Sequence, residues 1–164
     1  MEHLIVKRKQ VLTALATLKR SINSYGKASK LESNSTWYKE VFSDQDESIR
    51  SIRDSMIQRF EFSIDLIWKY LKEYLTSVER MSLEIKTPRS IFRSLCNAKI
   101  LSEKETEFAI EMVDNRNRTS HIYKEEMAEE IASQIPEYHL FMSSVMARTQ
   151  LQTEQEIPFR QKQI

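Results

Sequence analysis

The chain has 164 residues, of which 40% are hydrophobic, so it is long enough for one domain with a sizeable core. Its 25 Lys and Arg nearly balance its 24 Asp and Glu, which excludes a strongly basic domain that holds nucleic acid by overall charge. The single cysteine, Cys96, excludes an internal disulfide, and with three histidines it argues against a zinc site.

Charged residues interrupt every apolar segment of the sequence, and no apolar leader opens the chain. A membrane-spanning helix needs roughly 18 or more consecutive apolar residues, and no such run occurs. We therefore expect a cytoplasmic protein without membrane contact, metal or cofactor, in which Cys96 packs in the core.

The first half of the sequence predicts two amphipathic helices joined by a long polar loop. Apolar residues recur at helical spacing over residues 3–23, and residues 24–43 are polar and contain the only glycine, Gly26. Asp44, followed three residues later by Glu47, resembles a capping box and opens the second helix. Its buried stripe is predicted at Ile49, Ile52, Met56, Phe60, Ile64, Ile67, Leu71, Tyr74 and Val78.

Capping signals predict three further helices. Thr87-Pro88 opens a short helix to about residue 97, and Ser102 with Glu105 opens a fourth helix to about residue 115. A final helix is predicted over residues 124–148, with Pro136 kinking it or splitting it in two. The sequence therefore predicts an all-α fold: an up-and-down bundle of four to five helices in residues 1–148, followed by a polar tail in residues 149–164.

The absence of other motifs excludes several kinds of site. No Glu-x-x-His pairs occur for a carboxylate di-iron centre, and a single glycine rules out a P-loop or a dinucleotide-binding loop. There is also no Gly-x-Ser-x-Gly motif for a hydrolase serine.

The polar segment of residues 114–123, between two predicted helices, is the strongest candidate site. On one unbroken helix Arg116 and His121 would not share a face, but a break after Asn115 can bring them together. Arg116 offers a fork of donors for phosphate, and His121 can transfer a proton near neutral pH. Such a pair could cleave RNA, and a symmetric dimer would bring two pairs together. Spacing alone leaves open that His121 merely caps a helix, and His3 and His139 are interpreted as surface residues.

The order of several sequence blocks resembles a known family. The motif Arg116-x4-His121-x-Tyr123 is similar to that of the HEPN superfamily of small helical bundles. Between about residues 53 and 138 the chain more specifically resembles the nucleotidyltransferase substrate-binding-protein-like family, which overlaps with HepT-type toxins. The blocks are Gln58-Arg59-Phe60-Glu61-Phe62, Trp68-Lys69-Tyr70-Leu71, Thr87-Pro88-Arg89, residues 115–123 and Ala128-Glu129-Glu130-Ile131.

This resemblance implies a homodimer that works with a minimal nucleotidyltransferase encoded beside it, with RNA or a nucleotide as substrate. In related toxins the motif Arg and His form a metal-independent ribonuclease site, and the nucleotidyltransferase neutralises the toxin by attaching AMP to the motif tyrosine. Carried over by position, Arg116 and His121 would be catalytic and Tyr123 would be the acceptor.

Four further residues are auxiliary candidates at this site. Asn117 is expected to orient it and Arg118 to contact a phosphate or remain a solvated charge. Glu61 and Asp65, four residues apart on one helical face, either complete the site or form a structural ion-pair set. The aromatic residues of the second helix, Phe60, Phe62, Trp68 and Tyr70, are expected in core and dimer packing rather than in base stacking.

Three functions remain open from the sequence. The first is a ribonuclease toxin of a nucleotidyltransferase/HEPN pair, regulated by AMP attachment. The second is a non-catalytic substrate-binding subunit of the nucleotidyltransferase. The third is a helical scaffold whose polar segment only caps a helix. Whether the chain is an enzyme is therefore not decided by its sequence.

Overall fold

A computed structural model describes residues 2–31, 36–119 and 125–151 of the chain. Within these residues it contains no strand, which confirms the all-α prediction. The helices are α1 (Glu2–Ala28), α2 (Gln45–Ser77), α3 (Pro88–Asn97), α4 (Glu103–Thr119) and α5 (Glu125–Arg148). None of them combines the length and apolar character needed to cross a membrane.

Helix α2 is the centre of the bundle, and it contacts each of the other four helices. Helix α1 packs antiparallel along it, since Lys7 near the start of α1 bonds to Glu73 near the end of α2. Six residues of the predicted stripe are buried: Met56, Phe60, Ile64, Ile67, Leu71 and Tyr74. The ring of Phe60 stacks on that of Tyr138 of α5, with centroids 5.4 Å apart. The periodicity therefore identified the core face of α2 correctly.

The predicted helix starts are confirmed by their capping bonds. The Asp44 carboxylate accepts from the backbone N–H of Glu47 at 2.7 Å, which places Asp44 at the N-cap of α2. Thr87 and Ser90 form a capping box at α3, with Pro88 as the first helical residue. At α4 the backbone N–H of Ser102 donates to the Glu105 carboxylate at 2.8 Å. These side chains satisfy backbone donors that have no partner inside the helix.

Helix α1 is longer than predicted, because it continues to Ala28 and includes Gly26. The prediction that a loop begins at residue 24 is therefore wrong. Glycine inside a helix costs about 1 kcal/mol relative to alanine. Here Ala28 is buried and Tyr25 packs against the core, so tertiary contacts outweigh that cost.

Helix α5 passes through Pro136 as one helix, so of the two predicted effects of Pro136, a kink or a split, the split is wrong. Pro136 lies on the exposed side, where water can satisfy the carbonyl that loses its intrahelical bond. His139 is buried rather than at the surface, and its Nε2 lies 3.1 Å from the carbonyl oxygen of Leu15. Burial lowers the pKa of His139 and keeps the ring neutral in the core.

Arg148 ties the end of α5 to the start of α4. Its guanidinium donates to the Glu105 carboxylate at 2.6 Å and to the carbonyl of Ile100 at 2.9 Å. The bond from Arg148, aided by Ser102, lowers the pKa of Glu105 to about 2. Because this pKa lies below its ordinary value of 4.5, ionised Glu105 stabilises the fold above about pH 5, and the contribution disappears as the pH falls toward 2.

Replacing Glu105 by glutamine should therefore lower the free energy of unfolding at neutral pH by about 1 kcal/mol. The modest value reflects a side chain that is 34% exposed and screened by water. Urea unfolding of wild type and Glu105→Gln should show a difference near pH 7 that shrinks near pH 3. Glu103→Gln, in the same first turn, is the matched control. A difference that stays constant between the two pH values would contradict this assignment.

Candidate functional site

The end of α4 is attached to α2 by the residues that the sequence singled out. Arg116 lies in the last turn of α4, and its Nη2 donates to Oδ2 of Asp65 at 2.9 Å. Three residues on, the hydroxyl of Thr119 donates to the carboxylate of Glu61. Glu61 and Asp65 are one turn apart on α2. The structure thus bonds Arg116 to Asp65 and attaches Thr119, at the same end of α4, to Glu61.

Arg116 belongs to the helix rather than to the break that follows it. The prediction that α4 ends near Asn115 is wrong, since the helix continues to Thr119. Asn115 is buried, and its Nδ2 donates to Oε1 of Gln134 at 2.5 Å and to the phenol oxygen of Tyr138 at 2.6 Å. Partners on α5 therefore satisfy a side chain that would otherwise compete with the helix backbone.

The other two motif candidates differ in their surroundings. Both terminal nitrogens of Arg118 donate to the Glu130 carboxylate at 3.2 Å, and Nη1 also donates to Oδ1 of Asn115 at 3.0 Å. The bond from Glu130 raises the pKa of Arg118. Asn117 is exposed, and its side chain makes no hydrogen bond with the part of the chain that the structure describes. Arg118 therefore links α4 to α5, whereas no contact indicates an orienting role for Asn117.

His121 and Tyr123 lie outside the described residues, which resume at Glu125. Both flanks of this gap are anchored to α2. Thr119 bonds to Glu61 before it, and after it Arg53 Nη2 donates to Oε2 of Glu125 at 3.2 Å. The bond from Arg53 lowers the pKa of Glu125.

Sequence reasoning missed Arg53 and Asn115 as site-building residues. The side chain of Arg53 is only 5% exposed. Its one signal in the sequence is its position beside the apolar stripe, between Ile52 and Met56, where a charged residue needs a partner. Asn115 gave no comparable signal, because Gln134 and Tyr138 are far from it in sequence.

The local charges decide which chemistry suits the described part of the site. The described part of the site contains two positive side chains, Arg116 and Arg118, and three carboxylates, those of Glu61, Asp65 and Glu130. A phosphate could reach Nη2 of Arg116 or the terminal nitrogens of Arg118 only by displacing a carboxylate. The Nε of Arg116 is buried and has no hydrogen-bond partner among the described residues. Those residues also contain no group of three or more potential metal ligands.

Comparison with known proteins identifies the family. A family model described as nucleotidyltransferase substrate binding protein like matches residues 11–152. The chain belongs to this family. The matched range contains the contact between α2 and α4 as well as residues 120–124, so the family match covers the whole candidate site. It confirms the resemblance to the substrate-binding family.

Two solved structures share the fold of this chain. The protein ttk003001694 from Thermus thermophilus is 31% identical, with a TM-score of 0.65 over 86% of this chain and 99% of that one. HI0074 from Haemophilus influenzae is 21% identical, with a TM-score of 0.57 over 82% of this chain and 98% of that one. It is described as having the fold of a substrate binding domain of a nucleotidyltransferase. No curated protein matches the chain at a significant level.

Proposed function

We propose that this chain is the non-catalytic substrate-binding subunit of a minimal nucleotidyltransferase. The observation that carries the proposal is the family match over residues 11–152, which includes every helix that builds the site. The description of HI0074 as the fold of a nucleotidyltransferase substrate binding domain supports the same role. The proposed assembly is a homodimer of this chain, as the family resemblance implies, bound to the nucleotidyltransferase.

The charges around Arg116 favour this role over catalysis. A ribonuclease needs an arginine that is available to the scissile phosphate in the transition state. Arg116 instead donates to Asp65, while Glu61, one turn away on α2, accepts from Thr119 of the same helix end. The same contacts hold α4 rigidly on α2, which suits a surface that a partner protein recognises.

The proposal is tested with the purified chain and the nucleotidyltransferase encoded next to it. Size-exclusion chromatography with light scattering should show a complex that contains two copies of the chain. Nucleotide transfer by the enzyme should be faster in that complex than with the enzyme alone. Failure of the two proteins to associate would contradict the proposal.

A metal-independent endoribonuclease toxin, neutralised by attachment of AMP to Tyr123, is the second candidate function. The observation in its favour is the buried Nε of Arg116, which lacks a partner among the described residues five positions before His121. That nitrogen could donate to a substrate phosphate.

Induced expression of wild type and His121→Ala distinguishes the two functions, with RNA integrity read from the same cultures. The substrate-binding role predicts intact RNA and equal growth of the two strains. Growth arrest with RNA cleavage that disappears in His121→Ala would instead establish the toxin. AMP on Tyr123, detected by mass spectrometry after coexpression with the nucleotidyltransferase, would add the proposed regulation.

A further inference from the structure

A groove runs along the bundle surface between α1 and α2, and its lining residues do not include Glu61 or Asp65. It consists of two adjoining cavities of about 920 and 410 Å³, which share Thr17 and Arg59. The larger cavity is mostly apolar, and the smaller one is lined by hydroxyls and arginines. The residues that matter for the argument are Gln10, Arg20, Ser51, Ser55, Arg59 and Phe62.

The smaller cavity presents hydrogen-bond donors without any carboxylate among the described residues that line it. The guanidinium of Arg59 makes no hydrogen bond or ion pair within residues 2–31, 36–119 and 125–151. In the same ranges Arg20 donates to a single side chain, the hydroxyl of Thr17, at 3.2 Å. The hydroxyls of Ser51 and Ser55 beside them are exposed. Convergent donors with excess positive charge suit an anion such as a phosphate.

The two arginines of the groove differ from those of the α4 site in having no carboxylate partner among the described residues. Arg116 and Arg118 are each bonded to a carboxylate, whereas neither Arg20 nor Arg59 has an acidic partner in the described structure. A phosphate can therefore reach the groove arginines without displacing a carboxylate. The groove is therefore a more favourable place for a phosphorylated ligand than the site at the end of α4.

The larger cavity suits a flat aromatic group. The side chain of Phe62 is 59% exposed there, so it does not pack in the core of the bundle, and its expected role in dimer packing remains a prediction. Leu66 and Val6 continue the apolar wall, and the amides of Gln10 and Gln58 border it. A volume of about 920 Å³ lies within the range of small-molecule sites, roughly 300–1,000 Å³. A nucleobase could stack on Phe62 while the amides contact its edge.

The distance along α2 between Phe62 and Ser51 matches the length of one nucleoside triphosphate. Arg59 stands one helical turn from Phe62, and Ser51 is eleven residues away, which corresponds to about 16 Å along the axis. That span accommodates an extended nucleoside triphosphate. Arg59 lines both cavities and so lies where the base-binding part of the groove meets the phosphate-binding part.

We propose that the groove between α1 and α2 binds a free nucleotide, with the base on Phe62 and the phosphates on Arg59 and Arg20. The inference rests on the proposed substrate-binding function and names a nucleoside triphosphate as the substrate class. It assigns binding to a groove whose described lining residues come from α1 and α2 and do not include Arg116 or Arg118.

Calorimetric titration of the full-length chain with ATP tests the proposal. Wild type should bind, and Arg59→Gln and Phe62→Ala should each weaken the affinity by about tenfold or more. The first substitution removes a charged contact to the phosphates, and the second removes the ring on which the base stacks. Arg93→Gln, which removes an exposed arginine on α3, should leave the affinity unchanged. Because Arg59 and Phe62 are exposed, circular dichroism should show that both variants remain folded.

Several outcomes would overturn the inference. These are no ATP binding at about millimolar concentration, or unchanged affinity in both groove variants. Binding of a short RNA through Arg59 and Phe62 without binding of ATP would make the groove an RNA site. Conversion of a dimer to monomers by Phe62→Ala would show that a second copy covers the groove. A chain that forms the nucleotidyltransferase complex but fails to bind ATP would overturn only this inference and leave the proposed function standing.

Discussion

Replacing Phe60 by alanine should lower the free energy of unfolding by about 3–5 kcal/mol. Phe60 is completely buried on the central helix and stacks on Tyr138. Removing its ring leaves a cavity between α2 and α5 that the packed neighbours can fill only in part. Urea unfolding followed by circular dichroism measures the effect.

Phe62→Ala is the matched control for this prediction. The same residue type is removed from the same helix two positions away, but this side chain is 59% exposed. We expect a loss of less than about 1 kcal/mol, since little apolar surface returns to water. Equal destabilisation by the two substitutions would contradict the assignment of Phe60 to the core and Phe62 to the groove.

Arg116→Ala and Asp65→Ala should each weaken binding to the nucleotidyltransferase by about tenfold, and the double variant should bind no more weakly than either. The reason is that the two side chains act as a pair, which fixes the end of α4 on α2. Once either side chain is removed, the other no longer helps to hold the end of α4 on α2. Biolayer interferometry with the immobilised enzyme measures the affinities.

Arg89→Ala provides the control for general loss of charge. Arg89 pairs with Asp114, so this substitution removes an ion pair that joins α3 to α4 and leaves the contact between α2 and α4 in place. It should leave the affinity within about twofold of wild type. A different pattern of effects on binding and nucleotide transfer would overturn the positioning role of Arg116. If Arg116→Ala abolished nucleotide transfer without weakening binding, and Asp65→Ala changed neither, Arg116 would be catalytic.

Local sequence signals were sufficient to predict where most helices begin. Asp44, Thr87-Pro88 and Ser102 with Glu105 are confirmed as capping sites, because a cap depends on residues within one turn of each other. The periodicity of α2 likewise predicted its buried face. These features need no knowledge of the tertiary structure.

Helix ends were predicted less well, because they depend on distant partners. Helix α1 extends past Gly26 since Ala28 is buried against the core. Helix α4 extends to Thr119 because α5 satisfies Asn115 and α2 binds Thr119. Single-sequence propensities contain neither set of contacts.

The candidate site was only partly accessible from the sequence. The pattern placed Glu61 and Asp65 on one face of α2, but only the packing of α4 on α2 shows that Asp65 binds Arg116 and Glu61 binds Thr119. The roles assigned to His121 and Tyr123 remain predictions, as both lie outside the described residues. The groove with Arg20 and Arg59 has no sequence motif, since two helices contribute to it.

The most direct test of the substrate-binding role is the rate of nucleotide transfer by the nucleotidyltransferase as the wild-type chain is titrated into it. We predict that the rate rises and saturates at the stoichiometry of the isolated complex, and that the KM for the nucleotide falls. A rate and KM that stay unchanged at saturating chain, in a mixture where the complex is seen to form, would contradict the account.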